Sequence, residues 1–496
     1  MLDLSQPLPE VKAHSLTPEM VAILAHAPTS SMKVEAGAGA GKTTLLVAYS
    51  KKWSDYRGLY LSFNAAIAKE AKTRFPSHIT ASTAHSYAFR SRNVGRHSSR
   101  LTGKIRKNDL RDAGIEFNCD ALSEDKMVKA VIKGIENFCN SAGPRLTPAM
   151  CGIDYIPRTA QERIMPLIGK VIDRFINYET SGLPFTHDIY LKNLEMHGQL
   201  GAEYDYILVD EAQDLNPLLL SLIEKAGKPV VYVGDRKQSI YAFRGSVDAL
   251  SEIEATTYPL SQSWRFGAPI DAISNFILAE TSAPTSWKLK GKPGHTTEVV
   301  EYSGAAAPYS LVLSRTNSRL FEGLVRIRVP FHVIGGFDAI ATQLLSALAL
   351  SKGAPRREIR DPLVMGYRDW GDMVADAKDG DDPEVRRIVK IIEEYGERLV
   401  QIIDYLKSIH CVDIGAAKLV LSTAHKAKGL ESSSVVVLDD FLTIEELKAK
   451  RNDRKLNWVD FDQELHLLYV SITRAIDQLQ LATPLYEEFK HLAKMT

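Results

Sequence analysis

The chain has 496 residues, with 61 basic and 61 acidic side chains and a formal net charge of zero. That length allows roughly three structural units of ~150 residues, and a composition 45% hydrophobic and 25% charged is too apolar for wholesale disorder. The charge balance excludes a protein that holds polyanions through its overall field, so a nucleic-acid site has to be a local arrangement of basic and aromatic residues.

In chain order, the first residues are acidic and proline-containing, without the basic start and apolar run of a signal peptide. Apolar runs at 32–35, 59–63, 206–210 and 230–234 are each followed by a turn and a helical pattern. A second set lies at 310–314, 331–334, 418–422, 434–438 and 478–482. Near-continuous apolar strands alternating with helices predict parallel sheets covered on both faces. Two sets so far apart predict two α/β domains. Residues 89–202 and 336–410 lack strand signals and are expected to be helical insertions that dock on a sheet edge. An acidic patch at 379–384 reads as a solvated face. Cys119, Cys139, Cys151 and Cys411 have no CxxC spacing and read as reduced thiols, not a zinc site. No run approaches the ~18 apolar residues of a membrane span, so an intracellular, soluble protein is expected.

The segment from Met32 to Leu46 reads as a strand, a glycine-rich turn and a helix start. Gly37, Gly39 and Gly41 let successive N–H groups point inward at a phosphate chain, Lys42 adds a point charge, and Thr43 offers a hydroxyl to Mg²⁺ beside Thr44 at the helix N-terminus. Ala36 stands where the eight-residue pattern has its first glycine. The run Tyr206-Ile-Leu-Val-Asp210-Glu211-Ala-Gln213-Asp214 delivers Asp210 at a strand's C-terminal end to hold the metal, with Glu211 next to it as general base for water. Adjacent carboxylates ending a buried strand are costly unless a cation sits there. Together the two motifs indicate a nucleotide hydrolase.

The DEAQD string, with LYLSFNAAIAKEAKTRFP, TAHSYAF, VYVGDRKQSIYAFRGSVDAL and LSQSWRFGAPI, resembles the superfamily 1 helicases of the UvrD/Rep type over about residues 16–482. Within them it is most similar to the F-box DNA helicases and their shorter phage and bacterial relatives, without an evident F-box. The resemblance implies two RecA-like P-loop domains: the first from 1–88 and 203–262 with the insertion 89–202, the second from 263–335 and 411–496 with a reduced insertion at 336–410. It implies that Gln238 senses a γ-phosphate, and that Tyr241, Phe243 and Arg244 stack on and hold unpaired bases. Phe63, Asn64, Thr83 and His85 would line the single-strand channel, contacting phosphates without reading sequence. In the second domain, Trp264 would stack on the adenine base, Arg265 and Arg474 would act as arginine fingers, Glu431 would bind the ribose, and Thr423 and His425 the nucleic-acid backbone.

Where the family usually has an adenine-reading glutamine, this chain has Met20, so base selectivity rests on Trp264 alone; ATP with Mg²⁺ is the expected cofactor pair. The implied activity is a 3′–5′ DNA helicase or translocase working on single strands and single/double-strand junctions. The alternative is a DNA-stimulated ATPase that displaces proteins without unwinding; a catalytically silent scaffold is disfavoured by the full set of reactive residues. Protein partners in repair, recombination, defence or phage replication, a monomeric state, a cytoplasmic, nucleoid-associated location in a prokaryote or phage, and no membrane association complete the expectation. A basic run (Arg90, Arg92, Arg96, Arg100, Lys104, Arg106, Lys107) and a weaker one at 448–455 are candidate phosphate contacts or solvated loops.

Overall fold

The computed structural model describes residues 16–62, 65–112, 122–240, 249–379 and 382–494. Their contacts divide the chain into two units between Leu260 and Ser261, with the loop residues Gly37–Ala40 grouped with the second. Each unit is built on a six-stranded sheet, and every strand pair in both is parallel. The expected α/β class with two parallel sheets is therefore what the chain forms.

In the first unit the strands are β1 (Met32–Ala36), β2 (Gly58–Ser62), β3 (Ile79–Thr83), β4 (Tyr206–Val209), β5 (Val230–Gly234) and β6 (Thr256–Leu260). Their order is β3-β2-β4-β5-β1-β6. The central strands β2, β4 and β5 are buried at every position, which is why their sequences are apolar without alternation. Each fully buried Val, Leu or Ile contributes roughly 1.5–3 kcal/mol. Pairings such as Val34 with Val233 and Leu208 with Val231 bring the C-terminal ends of β1, β5 and β4 side by side, where ligands of parallel sheets bind.

Between β3 and β4 the regular structure among the described residues is helical, apart from one isolated bridge of Leu101 with Phe185. The helix Glu124–Phe138 buries Met127, Val131, Ile135 and Phe138, one face at helical spacing. These side chains share one continuous core with Leu59, Leu61 and Ile207 of the sheet. An ionic cluster ties the same region down. Lys192 Nζ, fully buried, donates to Ser141 O (2.9 Å), Gly143 O (2.6 Å) and Glu195 Oε2 (3.0 Å), while Glu195 also accepts from Ser221 Oγ and Lys225 Nζ of the helix Pro217–Lys225.

The second unit has β7 (Glu298–Glu301), β8 (Leu311–Ser314), β9 (Phe331–Val333), β10 (Leu419–Thr423), β11 (Ser432–Val437) and β12 (Ala475–Leu481), in the order β7-β12-β11-β8-β10-β9. Helices fill the stretch from β9 to β10, and Ile340, Leu344, Ile388 and Ile403 share a core with Val312, Phe331 and Leu421. The acidic patch expected to be solvated is not uniformly so. Asp382 caps its own helix, and Glu384 accepts from Ser318 N and Oγ at the start of the helix Asn317–Leu324. Burial pushes the Glu384 carboxyl up.

Candidate functional site

The residues expected to hold a nucleotide in the first unit are assembled at the ends of three neighbouring strands. After β1 the backbone turns through left-handed conformations at Gly39 (φ +70°) and Gly41 (φ +78°), and the helix Lys42–Lys52 follows immediately. Only glycine enters that region without a Cβ penalty, so the spacing of glycines fixes where Lys42 and Thr43 emerge. Lys42 Nζ lies 3.3 Å from Glu211 Oε1. Thr43 Oγ1 donates to Asp210 Oδ2 at 2.8 Å, and the buried Tyr60 hydroxyl donates to the same oxygen at 3.0 Å. Thr44 is half-buried on the helix and accepts from Arg74 Nη2 at 3.4 Å.

Glu211 sits at φ +52°, a left-handed conformation costing a non-glycine residue about 1–3 kcal/mol. Its surroundings hold it there. Gln213 Nε2 donates to Glu211 Oε2 at 2.7 Å, and Gln213 Oε1 accepts from Asp235 N at 3.0 Å. Asp235 in turn accepts from Gln238 Nε2 at 2.8 Å and caps the short turn Arg236–Gln238. A buried polar chain thus runs from the phosphate loop through β4 to the end of β5: Lys42, Glu211, Gln213, Asp235, Gln238. Sequence reasoning named Gln213 only as part of a string and missed Tyr60. For Tyr60 the signal was a hydroxyl on an otherwise apolar strand, which is buried only when hydrogen-bonded; Gln213, set among Asp210, Glu211 and Asp214, carried no such signal.

The electrostatics suit a polyphosphate with a divalent cation. Burial alone would lower the Lys42 pKa, but Glu211, Asp235 and Asp210 outweigh it and hold the ammonium charged. Burial, then Glu211, pushes the Asp210 carboxyl up, and Lys42, Thr43 and Tyr60 work against that. Among the described residues no group of three or more His, Cys, Asp or Glu could cage a metal. A hydroxyl and one carboxylate 2.8 Å apart instead fit a Mg²⁺ that keeps most of its oxygens from phosphate and water.

In the second unit, Arg265 Nε donates to Glu431 Oε2 (2.7 Å) and Arg265 Nη1 to Thr473 O (2.8 Å). Arg474 is buried, its guanidinium bonded to Val470 O, Leu430 O and Thr473 Oγ1. Residues expected to touch one nucleotide are thus gathered with one another. Trp264 is half-buried; Thr423 is buried at the end of β10, with His425 half-buried two residues on.

Of the residues expected to touch DNA in the first unit, Phe63, Asn64, Tyr241, Phe243 and Arg244 lie outside the described residues. Thr83 Oγ1 caps the helix Ala84–Ser91 by accepting from Ser86 N. His85 Nε2 lies 3.1 Å from Asp188 Oδ1, in a cleft of about 530 Å³ lined also by Phe89, Arg90, His187 and Tyr190. The basic run is largely committed to the protein: Arg90 bonds Ser82, Arg92 pairs with Glu179, Arg100 bonds Tyr178 O and Leu183 O, and Lys107 pairs with Asp125. Arg90, Arg96, Lys104 and Arg106 are its exposed members. Met20 is buried in the helix Pro18–Ala25.

A family model described as an AAA domain matches residues 20–244. The chain is 30% identical to F-box DNA helicase 1 of Gallus gallus over 512 residues, covering 95% of this chain and 49% of that protein. It is 26% identical to F-box DNA helicase protein 1 of Schizosaccharomyces pombe (92% and 56% covered) and 25% identical to the ATP-dependent DNA helicase PcrA of Staphylococcus epidermidis (72% and 53% covered). The chain spans about half the length of these relatives.

Proposed function

The chain belongs to the superfamily 1 helicases of the UvrD/Rep type, and on that premise we propose that it hydrolyses ATP to move 3′ to 5′ along single-stranded DNA and separate duplexes. The observation that supports this reading is the constellation of Lys42, Thr43, Asp210 and Glu211 at the C-terminal ends of β1 and β4, which flank β5. Bound ATP with Mg²⁺ would supply an electrophilic phosphorus whose negative charge needs neutralising. Lys42 would neutralise the β/γ-phosphate oxygens, and Thr43 and Asp210 would hold the ion. Glu211, fixed by Lys42 and Gln213, orients the attacking water and takes its proton. Arg265 and Arg474 are the proposed arginine fingers, with Glu431 on the ribose and Trp264 on the base. His425 and Thr423, with His85, Thr83 and the aromatic residues of the expected channel, contact the strand.

Hydrolysis stimulated by single-stranded DNA and abolished in Lys42→Ala tests the motor. Hydrolysis indifferent to DNA would end the proposal. Tailed duplexes then separate two versions of it. Unwinding of 3′-tailed substrates supports a helicase of that polarity, whereas strong DNA-stimulated hydrolysis without strand separation supports a motor that displaces proteins. The half-length coverage of the relatives motivates testing both.

A further inference from the structure

The turn joining the helices Ile444–Asn452 and Trp458–Ile472 concentrates charge and exposed aromatic surface that packing does not require. The first helix ends with Lys448, Lys450 and Arg451, and its chain is then folded back sharply. Asp453 N donates to Ala449 O and Lys455 N to Lys450 O, with Arg454 in the left-handed region at φ +58°. A non-glycine residue there is strained and persists only where its surroundings over-determine it. Arg454 and Lys455 are exposed at the tip. Asn457 then caps the second helix, whose first residue, Trp458, is 53% exposed, with Val459 exposed beside it.

That indole is held in place. The Arg451 guanidinium stands over it, 4.2 Å from the ring centroid, and over Phe461 at 4.7 Å. The buried Phe461 meets Trp458 edge-on at 5.7 Å. A cation over an indole is favourable and orients the ring while leaving it accessible. Within 448–455 five side chains are basic and one, Asp453, is acidic. Lys448 is engaged by Glu280, and the nearby Asp460 is engaged by Asn457. A rigid, solvent-facing aromatic ring flanked by basic groups is the chemistry that takes unpaired nucleobases and their phosphates.

We infer that this turn is a single-stranded DNA contact separate from the motif residues: a base stacks on Trp458 while Arg454 and Lys455 pair with neighbouring phosphates. The inference rests on the DNA-motor reading. Its test is the affinity of the full chain for a fluorescent oligothymidine, measured by anisotropy across a range of salt. Trp458→Ala is expected to weaken binding by roughly 5- to 150-fold, the loss of one stacked base, and Trp458→Phe to recover most of it. The pair Arg454→Ala and Lys455→Ala is expected to reduce the slope of log affinity against log salt by about 1.4, two phosphates at ~0.7 each. The hydrolysis rate at saturating DNA should match wild type in all of these, since none of them touches the nucleotide residues. Wild-type affinity and slope in every variant, with DNA-stimulated hydrolysis intact in the parent chain, would overturn the contact and leave the motor standing. A parent chain without DNA stimulation would remove the motor reading and this contact with it.

Discussion

Gln213 gives the sharpest test of how the site is held. Its side-chain amide is fully buried and spans two groups, donating to Glu211 Oε2 at 2.7 Å and accepting from Asp235 N at 3.0 Å. It is clamped from behind: a Cβ on Gly234 would collide with Gln213 Oε1 and Leu250 Cδ1. Replacing it with Leu removes both bonds and leaves the buried Asp235 N–H without this acceptor, a loss of about 1–3 kcal/mol. For a unit of this size that is ~2–4 °C in Tm per kcal/mol. The larger effect is expected on catalysis. Glu211 stays in a left-handed conformation only while its neighbours constrain it, and a carboxylate displaced by ~1 Å loses on the order of 100-fold in rate. DNA-stimulated hydrolysis measured over a range of ATP should therefore fall in kcat with KM little changed. Gln213→Asn, one methylene too short to reach both partners, should behave almost as badly as Leu. If Gln213→Leu kept kcat within two-fold and the same Tm, the polar chain would be incidental and this reasoning wrong.

Four further outcomes follow from the same geometry. Lys42→Ala should abolish hydrolysis while leaving oligonucleotide binding within a few-fold, because the lysine faces Glu211 and its proposed role is on the nucleotide; filter binding beside an ATPase assay checks it. Tyr60→Phe removes a hydroxyl that donates to Asp210, so a Mg²⁺ titration of hydrolysis should show a several-fold higher requirement with little change in Tm. Lys192→Met breaks a buried pair and leaves Glu195 with less compensation, which should cost about 3–5 kcal/mol in chemical denaturation, seen as a lower midpoint at unchanged slope. Glu195 also sets an acid limit: Lys225, Lys192 and Ser221 outweigh burial and hold its carboxyl at about 2, below its unfolded value near 4.5. A depressed carboxylate stabilises the fold above its unfolded pKa. That contribution should fade as pH falls from about 4.5 to about 2, and Glu195→Gln should flatten this part of a stability–pH curve.

The central strands were legible because burial on both faces forces an unbroken apolar run, as in β4 and β5. β6 and β7 escaped because they lie at sheet edges, where that pressure relaxes: β6 is exposed along its first half and β7 is Glu-Val-Val-Glu. β3, also an edge strand, is buried at four of its five positions, but it reads Ile-Thr-Ala-Ser-Thr and so shows no apolar run. The acidic patch was misread for a related reason. Sequence gives charge but not the neighbour that receives it, and Glu384 is received by the helix start at Ser318, more than sixty residues away in the chain.

The same limit separates the phosphate loop from the rest of the site. Gly39, Gly41, Lys42 and Thr43 act through local backbone geometry, so their spacing alone carries the chemistry. Glu211 was legible beside Asp210, but what holds it was not: the bonds from Lys42 to Glu211 and from Asp235 to Gln213 join the ends of different strands, which spacing cannot display. The basic run after Thr83 makes the point in the opposite direction. Its side chains looked available for phosphates, yet Arg92 and Arg100 are bonded within the helical region, to Glu179 and to the carbonyls of Tyr178 and Leu183. A neutral chain that binds a polyanion has to keep a few basic groups out of such internal bonds. Arginines closing helix ends and loop carbonyls are structural cations, whereas Arg454 and Lys455, exposed beside an indole held by Arg451, are where a strand could be gripped and released. Net charge therefore excludes only binding through the overall field. The discriminating quantity is which cations the fold has already consumed.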